Sequence, residues 1–146
     1  MLVNEIMTTN PTCCKPEQTI QEAAKMMLME DCGSIPVVDE ASHRIVGMIT
    51  DRDIAVRAVA AGKDPNKTCV AETMSHPIVS VQSESQVESC VKLMEENQVR
   101  RAPVVDSSGR LIGMIAQADI ARSATPDQVA ELVCEVSKGT DMGYVS

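Results

Sequence analysis

The sequence predicts a mixed α/β (α+β) fold made of two tandem copies of one β-α-β-β-α unit. Three observations predict it. The chain repeats itself at an offset of 66 or 67 positions: Ile35-Pro36-Val37-Val38-Asp39 matches Ala102-Pro103-Val104-Val105-Asp106, Ile45-Val46-Gly47-Met48-Ile49 matches Leu111-Ile112-Gly113-Met114-Ile115, and Asp53-Ile54-Ala55 matches Asp119-Ile120-Ala121. Each copy carries apolar residues at helical spacing. Each then carries two short β-branched runs separated by a polar turn.

The elements follow in order. Ile6-Met7 and Pro11 have counterparts in Thr73-Met74 and Pro77, so the repeat extends towards the start of the chain. Thr19-x-x-Glu22 and Ser85-x-x-Glu88 have the form of capping boxes that open a helix. Behind them, Ile20, Ala23, Ala24 and Met27, and likewise Val87, Cys90, Val91 and Met94, put four apolar side chains on one helical face. Strands follow over 35–38 and 102–105, and polar turns over 39–43 and 106–109. Second strands are expected over 44–49 and 110–115, and second helices near Asp51 and Gln117.

The division this implies is repeat one over 1–66, with a polar stretch at its end from Ala61 to Lys67, and repeat two over 67–124. Thr125-Pro126-Asp127-Gln128 then combines an N-cap, a first-turn proline and a Gln, predicting a C-terminal helix over 125–138 with the stripe Val129, Leu132, Val133, Val136. Residues 139–146 read as a flexible tail. A unit of about sixty residues buries too little surface to be comfortably stable alone. Two copies packed sheet to sheet, with pseudo-two-fold symmetry, would remove that difficulty.

Of the 146 residues, 44% are apolar, with no Phe or Trp, one Tyr and ten Met, so the core is aliphatic. A formal net charge of −8 argues against a general nucleic-acid or anionic-membrane binder, because affinity for phosphate surfaces comes from Lys and Arg. The seven arginines nevertheless all lie between Arg44 and Arg122, leaving room for a local anion site. No signal peptide or membrane-length apolar run is expected, which points to a cytoplasmic protein with reduced cysteines.

The duplicated helix, the h-P-V-V-D strand and the G-h-h-T-x-x-D turn resemble the CBS-domain pair, or Bateman module. The resemblance covers the chain to about Arg122. It is nearest to stand-alone two-repeat CBS proteins of the hypoxic-response type, through Thr50-Asp51-Arg52-Asp53-Ile54, the stretch from Ala61 to Asn66, and Val99-Arg100-Arg101-Ala102-Pro103-Val104. It implies a regulatory module without catalytic function. Such a module binds an adenosine-containing ligand (AMP, ADP, ATP or a relative) in a cleft between repeats, forms a homodimer, and regulates a separate protein.

By the same resemblance, Thr50 and Asp53 would contact phosphate and ribose in repeat one, with Ile35 and Pro36 beside the base. Repeat two would supply Asp119, with Ala102 and Pro103 in the matching places and Arg101 as the preferred phosphate contact. Arg100 reads as an exposed strand-edge residue, and Arg52 and Arg122 rank lower. The chemistry is sound by itself: a carboxylate at a helix start can accept two vicinal hydroxyls in charge-assisted bonds, and helix N-termini favour anions. Gly47 and Gly113 would let a ligand approach the backbone. Plain first-turn placement of Asp53 and Asp119 is the competing explanation. Ala116 stands where repeat one has Thr50, which ranks the Asp53 site first.

No nucleophile–base arrangement or phosphate-binding glycine loop is visible, so an enzyme is not expected. The alternative is a redox- or metal-responsive protein acting through Cys13, Cys14 and His76, the last brought close by pseudo-symmetry. Adjacent cysteines without a second pair fall short of zinc-ligand spacing. Cys90, like the methionines, reads as core.

Overall fold

The computed structural model describes residues 1–76 and 79–123. The expected C-terminal helix and tail lie outside the described residues. The chain forms two compact units that do not follow the repeat boundaries of the sequence. One unit spans 12–76; the other joins 1–11 to residues from 79 onward.

In the unit spanning 12–76, helix α2 (Ile20–Glu30) starts where the sequence signals it, at N-cap Thr19, whose hydroxyl accepts the Glu22 N–H at 3.2 Å. Ile20, Ala23 and Met27 are buried, but Ala24 is exposed, so the apolar face is narrower than its spacing suggests. Strands β2 (Ser34–Val38) and β3 (Ile45–Thr50) pair antiparallel, with Ser34 opposite Thr50 and Pro36 opposite Met48. Two isolated bridges extend this hairpin on both sides: Cys14 beside Val37, and Ser75 beside Met48. Helix α3 (Asp51–Asp53) runs into a π-helical segment, Ile54–Val59, and α4 (Val70–Thr73) follows the polar stretch. The stretch is not a free tether, since Pro65 and Thr68 carbonyls accept the N–H groups of Gln21 and Ile20 at the start of α2. The core gathers Cys14, Ala23, Met27, Ile35, Val37, Ile49 and Val70.

The other unit repeats the plan with its own parts. Its sheet has the order β1-β6-β5-β4, where β1 is Thr8–Thr9, β4 Val81–Gln82, β5 Arg101–Val105 and β6 Leu111–Ala116. Helix α1 (Val3–Ile6) precedes β1, α5 (Val87–Asn97) lies between β4 and β5, and α6 (Gln117–Ser123) follows β6. Thr8 pairs with Met114 as Ser75 pairs with Met48, so the start of the chain completes the second hairpin as residues 70–75 complete the first.

Helix α5 departs from expectation. Its N-cap is Gln86 with no side-chain cap, one residue beyond the Ser85 that the capping-box pattern marks. The reason lies at the chain start: the first helical amide, Val87 N–H, donates to the Met1 carbonyl at 2.9 Å, and Ser85 accepts the Val3 N–H through its carbonyl. Backbone from a distant segment thus satisfies a donor that an N-cap side chain would otherwise serve. The predicted face of Val87, Cys90, Val91 and Met94 is fully buried, in a core shared with Val3, Ala102, Val104, Ile115 and Ile120.

Candidate functional site

Each unit turns from strand to helix over an aspartate. In the first, Thr50 and Asp53 form a reciprocal capping box: Asp53 N–H donates to Thr50 Oγ1 at 3.0 Å, and Thr50 N–H donates to Asp53 Oδ2 at 3.1 Å. The T-x-x-D pattern explains this locally, since a carboxylate three residues after a threonine can reach back to the N-cap amide. The other oxygen, Oδ1, accepts the Ser75 hydroxyl at 2.9 Å and lies 3.7 Å from Arg57 Nε. In the second unit Ala116 has no hydroxyl, yet its N–H still donates to Asp119 Oδ2 at 2.8 Å. Arg122 Nη2 takes Asp119 Oδ1 at 2.6 Å. The carboxylates are buried, with Asp53 8% and Asp119 5% exposed.

In both sites one oxygen serves the backbone and the other meets side-chain donors. The arginines that reach Oδ1 have exposed side chains. An ion pair with one solvated partner contributes about 1 kcal/mol or less, so an incoming hydroxyl can displace such an arginine cheaply.

The remaining predicted residues divide clearly. Ile35 and Ala102 are fully buried side chains of the two cores, so any contact they make with a base must come from the backbone. Pro36 and Pro103 are buried in the same strands, and the Pro36 carbonyl already accepts the Cys14 N–H at 3.0 Å. Arg101 sits opposite Ala116 in the register, one residue along from the Arg100 carbonyl that accepts the Gln117 N–H at 3.0 Å. The structure thus brings Thr50 and Asp53 together, and places Arg101 beside the turn that holds Asp119. Two side chains escaped the sequence reading. Ser75 reaches Asp53 from 22 positions away, through the Met48 bridge; its only advance signal was its place after Met74, matching Thr8 after Met7. Arg57 reaches back along the π-helical segment. Arg100 is also not the exposed edge residue expected, because its Nε is buried without a hydrogen-bond partner among the described residues.

The glycines turn out to serve the chain itself. A Cβ on Gly47 would meet the Met74 side chain. One on Gly113 would meet Met7 and stand 2.9 Å from the Thr8 carbonyl oxygen. It is the completing segments, not a ligand, that approach here.

The metal alternative loses its ligand set. Among the described residues no group of three or more His, Cys, Asp or Glu could hold a metal ion, so Cys13, Cys14 and His76 do not form a site. Cys14 is fully buried in the core. Burial first, and then neighbouring Cys13 and Cys32, push its thiol up to about 12, where the thiolate that metals and oxidants need is scarce. Burial likewise raises Cys13, against the opposing pull of Lys15, and pushes Cys90 up to about 11.

Comparison with known proteins places this geometry in context. A family model for the CBS domain matches residues 3–59 and 70–125. Hypoxic response protein 1 of Mycobacterium tuberculosis is 36% identical over 129 residues, 88% of this chain and 89% of that protein. A crystal structure of Hypoxic Response Protein I, with two coordinated zinc ions, superposes with a TM-score of 0.77 at 35% identity, covering 86% of this chain and all of that one. The CBS domain pair of protein MJ0100, solved in complex with 5′-methylthioadenosine and S-adenosyl-L-methionine, gives a TM-score of 0.70 at 30% identity over 84% of this chain and 94% of that one.

Proposed function

This chain belongs to the CBS-domain family, and we propose that it is a non-catalytic regulatory module that binds an adenosine-containing ligand such as AMP, ADP or ATP. One observation carries the reading: in both units a buried aspartate at a strand-to-helix turn spends one oxygen on the backbone and holds the other against side-chain donors. A ribose diol offers the same donor chemistry as the Ser75 hydroxyl, and can take Oδ1 as a charge-assisted acceptor. Thr50 retains its hydroxyl proton for a phosphate oxygen, and the backbones of Ile35-Pro36 and Ala102-Pro103 are the base-contacting edges.

On this reading the protein is a cytoplasmic homodimer that reports its ligand state to a separate protein. Leu28 and Met29 on α2, both 82% exposed, and Val56 and Val59 on the π-helical segment supply apolar surface suited to a partner. Among the described residues no helix is long and apolar enough to cross a membrane.

The test is thermal unfolding of the purified chain with AMP, ADP, ATP, NAD and S-adenosylmethionine at millimolar concentration. A ligand at a hundred times its Kd stabilises the folded state by about 2.7 kcal/mol, which raises the midpoint by several degrees. No shift with any of the five overturns the proposal.

A further inference from the structure

We infer that the two aspartate sites select ligands of different charge, the Asp119 site holding the phosphate-bearing end of an adenine nucleotide and the Asp53 site an adenosyl group without phosphate. This rests on the reading that these aspartates hold a ribose. It reverses the order in which the sequence ranks the two sites.

The grounds are the residues on either side of each turn. At the β6–α6 turn, the Arg100 carbonyl accepts the Gln117 N–H and Arg101 lies opposite Ala116. Arg122 sits on Asp119 Oδ1. Three arginines therefore surround one carboxylate in a chain of net charge −8. One of them carries an unmet demand: Arg100 Nε is buried and has no partner among the described residues. A buried cationic N–H without an acceptor is unfavourable, and an anion's oxygen would satisfy it.

The first unit has none of this. The positions equivalent to Arg100, Arg101 and Arg122 are Gly33, Ser34 and Val56, and Gln117 is replaced by Asp51. A Cβ on Gly33 would come within 2.8 Å of Asp51 Oδ2, so position 33 has no room for a side chain while Asp51 keeps its place. Its nearby cations, Arg52 and Arg57, are balanced by Asp51 and Asp53. A phosphate would meet no excess of positive charge there. An uncharged or cationic adenosyl compound would meet no repulsion.

The experiment is isothermal titration of the full chain with AMP, adenosine and 5′-methylthioadenosine, for wild type, Arg100→Gln, Asp119→Asn and Asp53→Asn. Asparagine keeps an acceptor for the turn amide, and retained adenosine binding by Arg100→Gln shows that this variant is folded. The inference expects AMP to bind roughly tenfold or more tighter than adenosine, as one charge-assisted contact allows. Asp119→Asn and Arg100→Gln should remove most of that advantage, while Asp53→Asn leaves AMP affinity within about twofold. Equal affinity for AMP and adenosine, or AMP binding that falls with Asp53→Asn and not with Asp119→Asn, overturns it while leaving nucleotide binding intact. Binding of none of the three compounds overturns the underlying reading and this inference together.

Discussion

Replacing Val3 by alanine should destabilise the second repeat, although Val3 belongs by sequence to the first. Val3 is fully buried and packs with Val81, Val87, Cys90 and Ile115. Its N–H donates to the Ser85 carbonyl at 2.9 Å. The substitution removes two methyl groups, worth about 1.6 kcal/mol in transfer from water, and leaves a cavity between α5 and the sheet. A cost of about 2 kcal/mol follows, which raises the opening constant of that unit about 30-fold. Amide hydrogen exchange reads it directly: protection should fall by that factor in β5 and β6. A loss of protection confined to residues 12–76, with β5 and β6 unchanged, would refute the assignment of the chain start to the second unit.

Thr73 is 1% exposed and its hydroxyl has no hydrogen-bond partner among the described residues. Thr73→Val keeps the shape, removes the unmet polar group and should stabilise by about 1 kcal/mol in urea unfolding, as the apolar Ile6 at the equivalent position suggests; a loss of stability would mean the hydroxyl is bonded. Gly113→Ala should cost more than Gly47→Ala, because its Cβ meets the rigid Thr8 carbonyl whereas Gly47 faces only the flexible Met74 side chain, and equal unfolding midpoints would contradict this. Asp39 and Asp106 are held below the usual aspartate range, Asp39 first by the Ser42 N–H and Asp106 first by the Ser108 hydroxyl. Because their folded-state values are depressed, the unfolded chain binds more protons near pH 4, and their contribution is present above about pH 4 and lost on further acidification. The stability gap between wild type and the Asp39→Asn/Asp106→Asn double variant should therefore close as pH falls through that range, and a gap independent of pH would rule the mechanism out.

Much of the fold was legible because it is local. The β-branched runs, the Thr19 cap and the two apolar helix faces specify α2, α5 and the hairpins within their own stretches of chain. What was not legible is long-range exchange of backbone. Nothing in Val3-Asn4-Glu5-Ile6 states that it completes a sheet more than a hundred residues away, and that exchange is also why Ser85 does not cap α5 and why Gly113 must be small. The site divides in the same way. T-x-x-D revealed the capping box, a three-residue event, whereas Ser75 on Asp53 required the bridge to Met48. Arg100 was misjudged because sequence spacing carries no information on whether a side-chain nitrogen finds an acceptor.

The most direct measurement is a crystal structure of the protein grown with AMP. The account predicts ribose hydroxyls within about 3 Å of a capping-box carboxylate, with the arginine on Oδ1 turned away from it. A nucleotide bound elsewhere, with Asp53 still held by Ser75 and Asp119 still held by Arg122, would contradict it.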